Sequence, residues 1–83
     1  MKELKDTTEM MTSADYKERF AAEYYQLETR LVKLDEMRKK WDRGELNFTP
    51  TCPRSTYDLQ ANAMAEYLAV LEARAVMEGV TLE

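Results

Sequence analysis

Histidine is missing from all 83 residues, and there is one cysteine, Cys52. Without histidine, zinc and haem sites lose their usual ligand, and acid–base catalysis loses the side chain that titrates near neutral pH. A single thiol rules out an internal disulfide and fits a reducing cytosol. Cys52 lies between Thr51 and Pro53 with no base close in sequence, so it reads as an inert loop thiol. No apolar run approaches the roughly 20 residues that span a bilayer, and no signal peptide is visible. Cytoplasmic residence and no membrane partner are expected. The formal net charge of −4 argues against polymeric nucleic acid as a partner. The carboxylate pairs Asp35/Glu36 and Glu23/Glu28 read as solvated helix faces. No constellation of acid, base and nucleophile is present, so no enzyme, catalytic residue, metal or cofactor is expected.

Glycine and proline are also scarce, two of each, and they punctuate the chain. Met1 to Met10 is polar and reads as a mobile arm, with Met11 an alternative start that would make it dispensable. Residues 1–11 therefore stand apart from one helical domain over 12–83. Thr12 or Ser13 begins the first helix, about 13–43, with Thr12 and Asp15 as a capping box. Phe20, Tyr24, Leu27, Leu31, Leu34 and Trp41 recur at heptad spacing, with one polar step at Arg38. Arg38, Lys39, Lys40, Arg43 and then Gly44 are stop signals.

A loop over 44–53 follows, whose prolines and glycine forbid helix. Phe48 in it reads as a plug against the helices. The second helix, about 54–78, has Ser55 and Asp58 as a second cap pattern. Its seam is Tyr57, Ala61, Met64, Leu68, Leu71 and Ala75, ended by Gly79, after which Leu82 caps the core. The fold class is all-α, a two-helix antiparallel hairpin with a long first helix. Tyr24, Tyr25, Val32, Met37, Trp41, Leu59, Tyr67, Val70 and Met77 cannot all face one partner helix. So short a chain is marginal alone, and the surplus apolar surface predicts a helical homo-oligomer.

From Asp15 to Arg43 there are eight Lys/Arg against seven acids, and from Arg54 to Glu83 two against five. An anionic ligand therefore belongs on the first helix. Tyr16 and Arg30 lie about 21 Å apart on a straight helix, so one copy cannot close both on a small ligand. Two antiparallel copies can: Tyr16 of one lies beside Arg30 of the next. An aromatic face and a guanidinium are what a base and a phosphate need. Lys17, Arg19 and Lys33 lie within a turn of them and add charge. The plainer reading makes Tyr16 a staple on the helix start and Arg30 the salt-bridge partner of Glu23 or Asp35.

The segment YKERFAAEYYQLETRLVKL, with Tyr16, Arg19, Glu23, Leu27, Arg30 and Leu31, resembles the first helix of the phage anti-CBASS sponge family. Gln60, Met64, Tyr67, Val70-Leu71 and Arg74 resemble its second helix. These small helical proteins sequester cyclic oligonucleotide messengers of bacterial immunity. The resemblance, over about Tyr16 to Gly79, implies a homo-oligomer between dimer and hexamer that binds cyclic dinucleotides or trinucleotides between protomers, without cleaving them. It assigns base stacking to Tyr16 and phosphate binding to Arg30, where the family has lysine. A flat fork thus replaces a point charge. For a second, trinucleotide site it offers Arg54 and Arg74. The longer loop, with Phe48, Pro50 and Pro53, departs from the family. The related cyclic ADP-ribose signals of another defence system are further candidate ligands. The competing reading is a small helical adaptor or inhibitor that packs on a host protein.

Overall fold

A computed structural model describes residues 2–82. All regular structure among them is helical: a 3-10 turn Leu4–Thr7, then α1 Thr8–Met11, α2 Tyr16–Asp42 and α3 Arg54–Glu78. The helix over α2 starts later than Thr12 or Ser13. Asp15 itself is the cap, its carboxylate accepting from the Lys17 amide at 2.9 Å. Thr12 instead closes α1, and its hydroxyl donates to the Glu9 carbonyl. Pro53 occupies the cap position of α3, and no side chain caps it, so the Ser55–Asp58 box does not form. Asp58 instead accepts from Arg38 at 3.0 Å and from Arg54 at 3.1 Å. That explains the polar step in the first seam: Arg38 meets a carboxylate of α3. At the far end Gly79 ends α3 at φ 69°, the left-handed conformation that a side chain disfavours.

The two long helices run antiparallel. Lys17 reaches the Gly79 carbonyl, Tyr24 reaches Glu72, and Arg38 reaches Asp58. The core lies toward the start of α2 and the end of α3, where Phe20, Leu27, Leu71, Ala75 and Val80 are buried. Tyr24, Met64, Leu68 and Leu82 pack around them. Leu82 thus folds back onto the core. Burial pushes the Tyr24 phenol above its ordinary pKa, aided by Glu28 and Glu72, to which it donates. At the loop end Trp41 and Tyr57 meet edge to face at 5.8 Å, and Arg54 lies over the Trp41 ring.

Two features differ from the hairpin expected. The N-terminal segment is not a bare arm but a third piece that lies along α2 on the side away from α3. Thr7 is buried there and accepts from Gln26 at 3.0 Å. Thr29, fully buried, donates to the Lys2 carbonyl at 2.6 Å. The Lys2 ammonium sits 5.2 Å from the Tyr25 ring, and Glu3 pairs with Lys33. Ala22, Tyr25 and Thr29 form the buried strip beneath it. Small and polar residues make this seam, so an apolar count does not reveal it. The second difference is Phe48, which is 54 % exposed rather than a buried plug. It stands at the rim of a cleft with Lys33, Met37 and Lys40.

Candidate functional site

Tyr16 is the first residue of α2 and half exposed, where Asp15 starts the helix beneath it. Glu23 and Arg30 follow at steps of seven and are exposed. Seven residues fall about 20° short of two turns, so the three share one stripe. Its beginning lies within reach of Arg74 on α3. The Arg74 guanidinium stands 4.8 Å over the Phe20 ring and donates to Glu78 at 2.7 Å. Its pKa is raised, first by the Glu78 hydrogen bond, with Glu78, Glu23 and Tyr16 adding to the same field.

The other expected cations are held inside the chain. Lys17 donates to the Gly79 carbonyl at 3.3 Å and Arg19 to the Ser13 carbonyl at 2.7 Å. Lys33 is paired with Glu3 at 3.6 Å. Arg30 differs from all of them. Arg19, Arg38, Arg43, Arg54 and Arg74 each make a hydrogen bond or ion pair. Among the described residues Arg30 is the one arginine whose guanidinium makes neither. Asp35, once a candidate partner for it, is taken by Arg38 at 2.8 Å. Exposed ion pairs are worth about 0–1 kcal/mol, so the Lys33–Glu3 pair holds Lys33 weakly, whereas Arg30 has no such partner among the described residues.

The Sequestin family model matches residues 14–77. The chain belongs to the Sequestin family. The Sequestin match spans all of α2 and nearly all of α3, and so the Tyr16–Glu23–Arg30 stripe, but leaves out the N-terminal segment whose Lys2 lies over Tyr25. No curated protein and no solved structure matches the chain.

Within one Sequestin chain Tyr16 and Arg30 stay four turns apart on α2, so neither can complete the other's site. Arg54 and Arg74 are not brought together either. They stand twenty residues apart on α3, about 30 Å. Arg54 is bound to Asp42 and Asp58, tying the two helices beside the loop. Arg54's hydrogen bond holds the Asp42 carboxyl below the ordinary carboxylate range. Among the described residues no group of three acidic, cysteine or histidine side chains is placed to hold a metal, and no helix is long and apolar enough to cross a membrane.

Tyr67 is exposed on α3, and Gln60, Tyr67 and Arg74 recur at steps of seven along that helix.

Proposed function

We propose that this protein is a sponge made by a bacterial virus. Copies pack head to tail, and each cleft between them holds a cyclic oligonucleotide messenger, or a related cyclic nucleotide, without cleaving it. The observation that carries the reading is the exposed Arg30 guanidinium, unpaired among the described residues, in line with the exposed Tyr16 ring. A twofold axis beside Glu23 sets Tyr16 of one copy against Arg30 of the other. The ring takes a base, and the flat fork takes two phosphate oxygens. Membership in a family named for sequestration supports the reading, and so does a small core that leaves Leu59, Val70, Val76 and Met77 exposed on α3. Sequestration asks only for slow release, hence burial of the ligand between chains.

A panel of cyclic dinucleotides, cyclic trinucleotides and cyclic ADP-ribose isomers, read by thermal shift, tests this. At least one should raise the melting temperature of the wild type. Arg30→Ala should weaken that ligand about 10- to 100-fold, the usual worth of a hydrogen bond to a charged group, with helicity unchanged. Silence across the whole panel would end the proposal. It would favour the second reading that the exposed apolar residues of α3 support, a helical inhibitor docking on a host protein.

A further inference from the structure

A cleft of about 370 Å³ opens at the end of the molecule away from the 44–53 loop, where three segments far apart in sequence meet. Lys2 and Met10 line it from the N-terminal segment, Lys17 and Tyr25 from α2, and Gly79 and Val80 from the tail after α3. Lys2, Met10, Gly79 and Val80 lie outside residues 14–77, so the cleft is built in part from residues the Sequestin match does not cover. Its chemistry is set by two ammonium groups that neutral partners hold in place. The Lys2 carbonyl is tied to Thr29, and the Lys2 ammonium sits 5.2 Å from the centre of the buried Tyr25 ring. Lys17 donates to the Gly79 carbonyl at 3.3 Å. Neither a ring face nor a carbonyl cancels a charge, and an ammonium carries more N–H donors than one carbonyl takes. Among the described residues neither lysine makes an ion pair. Glu18 lines the same cleft, exposed, and pairs with neither. Cations therefore outnumber acids around the opening. Buried Ala21 and Val80, with Met10, supply apolar wall.

We propose that this cleft is a separate binding site for a small organic anion, with a compact oxyanion head, phosphate or carboxylate, on a short apolar body. The head lies between the Lys2 and Lys17 ammoniums, held by charge-assisted hydrogen bonds. The body lies against Met10, Ala21 and Val80, held by the apolar surface it covers. Such a ligand touches the N-terminal segment, α2 and the tail at once, so binding fastens the segment to the helix pair. The site is complete within one chain. It depends neither on copies packing together nor on what Tyr16 and Arg30 bind.

Phenyl phosphate, benzoate, inorganic phosphate and benzyl alcohol are the probes, titrated calorimetrically into the full chain, with amide hydrogen exchange followed at saturation. The first two share a body and differ in head; inorganic phosphate is a head alone, and benzyl alcohol a body without charge. At least one of the two aryl anions should bind, more tightly than inorganic phosphate or benzyl alcohol. Exchange should then slow across residues 2–11 and 79–82. Lys2→Met and Lys17→Met keep the hydrocarbon stem and remove the charge. Each should weaken the bound anion about fivefold or more, the upper end for an exposed ion pair. Lys5→Met removes the same charge from the same segment outside the cleft, and should stay within about twofold of wild type. The proposal falls if neither aryl anion binds, or if benzyl alcohol binds as tightly. It falls as well if Lys2→Met or Lys17→Met keeps wild-type affinity, or if Lys5→Met loses as much as they do, since net charge would then explain the effect. Should a variant lose helicity, the wild-type exchange map decides: protection confined to other residues would place the anion elsewhere.

Discussion

Side chains of one chemical kind take different roles here, set by what surrounds them. Six arginines share a charge, yet among the described residues five make a hydrogen bond or ion pair and Arg30, which is exposed, makes neither. Sequence spacing had put Lys17, Arg19 and Lys33 on equal footing with it. Their partners, the Gly79 and Ser13 carbonyls and Glu3, come from the chain ends and the helix-start loop. No periodicity on α2 announces those contacts. Thr29 teaches the same lesson from the inside, since a threonine in mid-helix reads as neutral until Lys2 comes to lie against it. Thr29→Val keeps the shape and removes the donor to the Lys2 carbonyl. It should cost about 1 kcal/mol in chemical denaturation. Asp42 carries a pH signature. Its carboxyl is held low by Arg54, so the stability it adds is full above the ordinary carboxylate range and is lost as pH falls through its lowered pKa. The gap in melting temperature between wild type and Asp42→Asn should therefore be widest near neutral pH and close in acid.

Among the elements, α2 is the one buried on two sides. Phe20 and Leu27 turn to α3, and Ala22, Tyr25 and Thr29 turn to the N-terminal segment. The first strip was legible because large apolar side chains repeat along it. The second was not, because two of its three residues are small or polar and its partner segment lacks apolar periodicity. A chain started at Met11 exposes Tyr25, which is 4 % exposed when covered. That truncation should lose about 2 kcal/mol, the scale of one buried large side chain, and should show as a lower urea midpoint. An equal midpoint would mean that the segment's contacts contribute nothing. Helix ends followed local chemistry more closely. Gly79 takes the left-handed turn, while Asp15 displaces the Thr12 box because α1 has already claimed Thr12.

The whole molecule is an elongated helical pair with a thin core, 43 Å in its longest dimension. Among the described residues nine hydrophobic side chains are buried, four of them alanines, which is little apolar volume for a chain of this length. Leu59, Val70, Val76 and Met77 stay outside it. A second copy on that surface would supply the missing burial. Light scattering at micromolar concentration should therefore return at least a dimer mass, and melting temperature should rise with protein concentration. A monomer at that concentration would remove the cleft that the sponge reading needs.

Local chemistry was enough for two long helices, their joining loop and an all-helical chain, because heptad spacing and the placement of glycine and proline act within a few residues. Packing alone decided which cations are paired within the chain and where the N-terminal segment lies. Those outcomes depend on the register between segments far apart in the chain, and a residue's neighbours in sequence carry no record of it.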